Sequence, residues 1–243
     1  MKTMTDIIIS NYNYSTYLDD CIKSCMAQEN CKIILVDDCS TDDSKGVYFR
    51  YTDQIKVLVN SHNMGVAYSR NTGICNGESE FVAIVDSDDL LLPDSIKVRE
   101  EYLVSHPDVD MVAGGILRAE GEMSYERMLE KTWPKHPSLL PIHSILFRRS
   151  VFERFGLFYE KLRSREDKEM WYRLGIHRNA FVKKRVKIKH INSAVGIYRR
   201  HDDSKRKIRK TDRDFDIRTN MIFDARVKDI EINGITKENT RFP

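Results

Sequence analysis

Short apolar runs alternate with helical patterns through the first third of the chain, and that rhythm limits what it can fold into. The runs are Asp6–Ile9, Lys32–Val36, Ile55–Val59 and Phe81–Val85, and helical periodicity covers Ser15–Gln28, Asp42–Tyr51 and Val66–Asn76 between them. Strands joined by helical crossovers lie parallel, with the helices covering the sheet. The expected architecture is α/β: a mixed, mostly parallel central sheet flanked by helices on both faces. With 243 residues, 41% of them hydrophobic, the chain buries one sizeable core, so a single domain is expected.

After Pro93 a helix is expected to about Ser105, followed by a strand over Val109–Ala113 that Gly114-Gly115 should break. A less regular region runs to Pro141, with Trp133 to Pro137 read as a loop. Beyond it come a strand at Ser144–Phe147, an acidic and aromatic helix near Arg165–His177, a basic strand near Val186–His190 and a terminal helix near Asp212–Lys228.

Every early strand runs into a polar segment: Ser10-Asn11-Tyr12-Asn13, Asp37-Asp38-Cys39-Ser40, Asn60 to Gly65, and Asp86-Ser87-Asp88-Asp89. In open α/β sheets ligands lie beyond the carboxyl ends of the strands, so these loops can build one site.

Composition excludes several classes. A net charge of +3, from 40 basic and 37 acidic residues, argues against a dedicated nucleic-acid binder. No stretch approaches the roughly 18 apolar residues of a spanning helix, and the opening has no apolar signal core, so a cytoplasmic location is expected. The five cysteines show no paired zinc spacing and are expected as free thiols, with Cys21 and Cys25 on the apolar face of a helix.

Asp86, Asp88 and Asp89 would repel one another unless a cation or hydrogen bonds offset their charge. Hard oxygen ligands suit Mg2+ or Mn2+, which bridge carboxylates to a ligand's phosphates; the plainer reading is a solvated acidic turn with Asp94 capping the next helix. Asp37 or Asp38 can accept a hydrogen bond from the imino N–H of uracil or guanine. Ser40 or Asp42 would cap the following helix. Tyr12 offers a ring for base stacking, or merely packs, and Ser10 and Asn13 can contact ribose or backbone. Arg70 either reaches a diphosphate or pairs with Asp37 or Asp86. In Arg165-Glu166-Asp167-Lys168, carboxylates open a helix whose dipole favours them; if that start faces the reacting centre, Asp167 is the choice of base for an attacking hydroxyl. His201, after Tyr198-Arg199-Arg200, completes a metal shell, touches a diphosphate, or does neither.

Taken in order, these segments resemble family 2 glycosyltransferases of the GT-A, Rossmann-like fold. The resemblance covers Ile7 to about Ser204. It is carried by Ile8 to Tyr14, Val36 to Asp42, Asn63-Met64-Gly65, Ser69-Arg70-Asn71, Val85 to Asp89, Ser164 to Arg173 and Tyr198 to His201. It implies an inverting, DXD-type transferase that takes a sugar from a nucleotide-sugar donor, UDP-sugars favoured, to a carbohydrate, lipid-linked or other acceptor hydroxyl. It implies that Asp38 reads the base with Tyr12 stacking nearby, and that Ser10 and Arg70 assist binding. Asp86 and Asp88 would hold the ribose and metal, Asp89 would share the metal, Asp167 would be the general base, Trp171 would line the acceptor side and His201 would be a metal ligand. The expected division is residues 1–210 as the transferase domain (1–110 nucleotide-binding, 111–210 acceptor-side) and 211–243 as a C-terminal helix and tail. One departure is Cys39, which stands where the family usually has glycine.

A sugar-nucleotide pyrophosphorylase needs a glycine-rich, basic loop after the first strand, which Ser10 to Tyr14 lacks. An aspartyl phosphatase carries its nucleophile after the first core strand, not the fourth. A nucleotide-sugar binding module without transferase activity remains the alternative. The basic run Lys205 to Lys210 reads as a solvated tail, with peripheral membrane contact and RNA binding behind it.

Overall fold

Residues 5–120, 133–135, 141–176, 185–201 and 213–233 are described by the structure, a computed structural model. The first half is the expected alternation: β1 (Thr5–Asn11), α1 (Ser15–Met26), β2 (Cys31–Asp37), α2 (Ser44–Phe49), β3 (Lys56–Val59), α3 (Val66–Cys75) and β4 (Phe81–Asp86). A two-residue strand, β5 (Leu90–Leu91), and α4 (Ser95–Ser105) follow. The remainder is β6 (Met111–Glu120), β7 (Trp133–Lys135), a 3-10 turn (Ile142–Ser144), β8 (Ile145–Arg148), α5 (Ser150–Phe155), α6 (Glu166–Arg173), β9 (Ile188–Arg200) and α7 (Arg213–Asn233).

One mixed sheet results, in the order β3-β2-β1-β4-β8-β6-β9-β5, with β7 also on β6. Strands β3, β2, β1 and β4 are mutually parallel, and β8 enters antiparallel beside β4. Successive side chains of a strand point to opposite faces, and the apolar runs obey this. Ile7 and Ile9 pack with Leu18, Cys21, Ile22 and Cys25 of α1. Ile8 packs on the other face with Ala67 and Ile74 of α3, Phe147 of β8 and Trp171 of α6. Burial on both faces explains why these strands read as continuous apolar runs. Cys21 and Cys25 are buried as expected, and all five cysteines are free thiols.

Gly114-Gly115 does not end its strand. β6 continues to Glu120, and its pairing with β9 shifts register on both sides of Gly115. A Cβ at Gly114 would fall 2.4 Å from Val195 Cγ1, so this glycine admits the neighbouring strand. Trp133–Lys135, expected in a loop, pairs antiparallel with Ile116–Arg118. The basic strand extends to Arg200, so His201 sits at the end of a sheet strand. His136, Pro137, His177 and the run Lys205 to Lys210 lie outside the described residues.

Helix α3 lies close against β1: a Cβ on Gly73 would stand 2.2 Å from Ile8 Cγ2, in a core where Ile8 is fully buried. Gly73→Ala is therefore expected to destabilise the fold by about 1–3 kcal/mol through overpacking. Urea denaturation measures this, and a loss below about 0.5 kcal/mol would show that the helix can move off the strand without cost.

Candidate active site

Strand register assembles the polar ends. Ser10 stands beside Asp86, and Asn11 beside Asp37. Ser10 Oγ donates to Asp86 Oδ1 at 3.1 Å, and Asn11 Nδ2 donates to Asp37 Oδ1 at 2.8 Å. Asp42 accepts from the backbone N–H of Ser15 at 2.8 Å and of Ser44 at 3.0 Å, so one carboxylate steadies the first residues of α1 and α2. Cys39 has φ +61, in the left-handed region that glycine enters without a steric cost.

Asp38, expected at the base, binds the loop that follows β3. Its Oδ1 accepts from Met64 N at 2.8 Å and from Asn60 Nδ2 at 2.8 Å, and its Oδ2 accepts from Gly65 N at 2.7 Å. A buried carboxylate that accepts from two backbone N–H groups and one amide side chain shapes a loop, here residues 60–65 at the start of α3. Tyr12, by contrast, is an exposed ring at the sheet edge.

Arg70 takes the pairing alternative. Its Nη2 donates to Asp86 Oδ1 at 2.7 Å and its Nη1 to Glu166 Oε1 at 2.8 Å, with the guanidinium buried. Burial pulls its pKa down, but the Asp86 and Glu166 carboxylates outweigh that and hold it above its ordinary value. The flanking residues also reach across: Asn60 Nδ2 donates to Ser69 Oγ at 3.0 Å, and Asn71 Nδ2 donates to the Phe158 carbonyl at 2.9 Å.

Asp86, Asp88 and Asp89 each present a carboxylate oxygen, and these lie within 4.8 Å of one another. His201 joins them, with Nε2 3.0 Å from Asp88 Oδ2 and its ring packed on Tyr17 at 4.5 Å and Tyr14 at 5.4 Å. Several oxygen donors and one imidazole at the end of a strand fit a divalent cation such as Mn2+ or Mg2+. Asp89 stands apart from the other two. It is buried, Arg199 N donates to its Oδ1 at 3.1 Å, and His143 Nδ1 lies 2.9 Å from its Oδ2. Its first service is to hold the loop. Burial pushes Asp89 up to about 6, with His143 opposing and Asp88 adding repulsion.

On the far side of Arg70, α6 begins at Glu166, directly after Arg165 turns through φ +67. Asp167 is half-buried, and its own Oδ1 accepts from Lys168 N at 2.7 Å. Burial, and then the Glu166 carboxylate beside it, push Asp167 up to about 6 against the pull of Arg70. Trp171 is a core residue rather than an acceptor wall: it is 6% exposed and stacked on Phe147 at 6.1 Å. A large ring on the sheet-facing side of a short helix is drawn into that core. Sequence reasoning missed His143 and the pairing role of Glu166. A lone histidine two residues after a proline carries no local signal, and Glu166 was visible only as the first half of Glu-Asp.

A sheet with this order, carrying an acidic loop at its carboxyl edge and a Glu-Asp helix beside it, defines the GT-A class of glycosyltransferase folds. The family model for glycosyl transferase family 2 matches residues 6–181, and the chain belongs to that family. Its relatives include the glycosyltransferase GlyG of Streptococcus pneumoniae serotype 4, 32% identical over 119 residues that make up 47% of this chain and 39% of GlyG. The putative teichuronic acid biosynthesis glycosyltransferase TuaG of Bacillus subtilis is 28% identical over 124 residues, 49% of each protein. The matches thus span half or less of those relatives. Among solved structures, S. aureus TarS 1-349 in complex with UDP-GlcNAc aligns with a TM-score of 0.63 at 22% identity, covering 84% of this chain and 60% of that one. The mannosyltransferase PcManGT of Pyrobaculum calidifontis, in complex with GDP-Man and Mn2+, aligns at 0.60 and 17% identity, covering 82% and 57%.

Because Arg70 is buried between two carboxylates, Arg70→Met leaves both charges uncompensated. The expected loss of stability is about 3–5 kcal/mol. Equilibrium denaturation at neutral pH checks it, and a near-neutral result would mean that water reaches the pair.

Proposed function

We propose that the chain is an inverting glycosyltransferase that moves a sugar from a nucleoside-diphosphate sugar to an acceptor hydroxyl with the help of a divalent metal. The observation that carries this reading is the meeting of two acidic groups around one arginine. Asp86 to Asp89, with His201, stand on one side of Arg70, and Glu166-Asp167 on the other.

Asp88 and His201, with Asp86, are the residues that would hold Mn2+ or Mg2+. When bound, the cation supplies positive charge against the diphosphate leaving group. Ser10 and Arg70 hold the Asp86 carboxylate in place for ribose or metal. Tyr12 offers its exposed ring to the base, and Asp38 shapes the neighbouring 60–65 loop. Asp167 takes the proton from the acceptor hydroxyl, whose direct in-line attack inverts the anomeric carbon. A carboxylate raised to about 6 is a stronger base than an ordinary aspartate and is still ionised at neutral pH. A UDP-sugar is favoured as donor, with the TarS complexes with UDP and UDP-GlcNAc as support and the GDP-Man complex of PcManGT as the competing case. The acceptor is a carbohydrate, lipid-linked or other hydroxyl compound. Among the described residues no helix is long and apolar enough to cross a membrane. The basic run Lys205 to Lys210 would draw the chain to an anionic membrane surface where such lipids reside.

Calorimetric titration of UDP and of GDP, each with Mn2+ and with chelator, tests the donor site. Metal-dependent binding of one nucleotide, lost in Asp88→Ala, is expected; no binding of either would overturn the reading. Asp167→Asn should keep nucleotide affinity while lowering kcat by about 10²–10⁴-fold. In the wild type kcat/KM should fall as pH drops through about 6, because the base must be deprotonated to act. Full turnover in Asp167→Asn would remove Asp167 from that role. For the membrane, sedimentation with anionic vesicles should show binding that weakens with salt, and salt-independent or absent binding would end the idea.

A further inference from the structure

The third carboxylate of the acidic loop is tied to a residue that no motif contains. His143 lies in the 3-10 turn before β8, is 1% exposed, and has its Nδ1 2.9 Å from Asp89 Oδ2. Two neighbours frame the ring and a third holds its backbone. A Cβ on Gly196 would fall 2.6 Å from His143 Cδ2, so β9 leaves room for the imidazole only because residue 196 is glycine. The ring lies parallel to that of Tyr198, with centroids 6.4 Å apart. The backbone carbonyl of His143 accepts from Arg99 Nη1 at 3.3 Å, and Arg99 is itself fully buried and held by Ser95 Oγ at 2.6 Å. An imidazole so confined has little freedom to turn away from Asp89.

On its other oxygen Asp89 accepts from Arg199 N, two residues before His201, whose Nε2 is 3.0 Å from Asp88 Oδ2. The path is continuous: the 3-10 turn, His143, Asp89, the end of β9, His201. We propose that His143 is a positioning residue for the metal loop, acting through Asp89 to clamp the end of β9 onto the 86–89 turn and so to set the separation of Asp88 and His201. The inference rests on the metal site proposed above. Groups that orient a metal's ligands from behind decide how well the ligands are preorganised, and losing one typically weakens metal affinity about 10–100-fold. The clamp is the close approach of the confined imidazole to Asp89 Oδ2, at 2.9 Å, on the side of the carboxylate opposite the oxygen that accepts from Arg199 N. Removing the ring takes away that polar neighbour and opens space beside Asp89, so the 86–89 turn is free to shift.

The test compares His143→Leu, His143→Asn and a core control, Ile145→Val, each checked for folding by circular dichroism and thermal melting. Mn2+ affinity is read from the free-ion electron paramagnetic resonance signal, and hydrogen exchange is followed in residues 86–89 and 196–201. His143→Leu should bind Mn2+ about tenfold more weakly or worse and exchange faster in both segments. His143→Asn, which returns an N–H near the Nδ1 position, should recover most of the affinity, and Ile145→Val should match the wild type. A folded His143→Leu protein with wild-type Mn2+ affinity and unchanged exchange overturns the proposal. If the wild type itself takes up no Mn2+, the metal reading falls, and exchange decides on the clamp. Faster exchange in His143→Leu but not in Ile145→Val sustains it, and unchanged exchange refutes it.

Discussion

The guanidinium of Arg70 is the contact on which both sides of the site depend. Five carboxylates, Asp86, Asp88, Asp89, Glu166 and Asp167, come from two distant parts of the chain, and each adds to the repulsion felt by the others. Arg70 sits between the two groups and touches one member of each. Its burial strengthens both attractions and also raises the cost of losing either partner. A buried fork with fixed geometry does more than neutralise charge, because it sets the distance between the acidic loop and the helix that carries Asp167. Lysine in this position would supply the charge without the fork. The neighbours on α3 act alike, Ser69 on the 60–65 loop and Asn71 on the Phe158 backbone, so three consecutive polar residues link one helix to three loops.

This explains how far the sequence could be read. The alternation of the first half was legible because each element is local: an apolar run buried on both faces, a helix, a polar strand end. The acidic loop, the Glu-Asp helix start and Tyr198 to His201 were legible as segments, and the structure brings the acidic loop to His201 and, through Arg70, to the helix start. What a segment's side chains touch was another matter. Asp38 accepts from the Asn60 side chain and two backbone N–H groups 22 to 27 residues ahead, and Asp89 meets Arg199 across 110 residues. No periodicity reports such contacts. Gly114-Gly115 misled for a related reason: glycine signals either a break or a close approach, and only the facing strand decides which. Trp171 misled because an aromatic ring on a functional helix looks the same in sequence whether it faces a ligand or the core.

Two carboxylates near the site are raised to about 6, yet the causes lead to different chemistry. For Asp89, burial is opposed by His143, and its oxygens face a ring nitrogen and a backbone N–H that keep it in place. For Asp167, burial is joined by repulsion from Glu166, and it is half-buried at the start of a helix. The first environment suits a fixed anchor, and the second a group that exchanges a proton with something arriving from outside. Environment, more than residue type, separates the roles.

The same distinction bears on where specificity resides. Around the proposed donor site Ser10, Asn11, Asp37, Asp38, Asn60 and Arg70 are held by strand register or by hydrogen bonds among themselves and to Asp86, so that part of the edge has little freedom to vary without unfolding. Helix α6 is held differently: it is eight residues long, its Trp171 and Met170 face the core, Glu166 is bound by Arg70, and Asp167 stands half-buried in its first turn. On the proposed reading, a donor edge fixed by the fold leaves the choice of acceptor to surrounding loops, where one fold commonly varies its specificity.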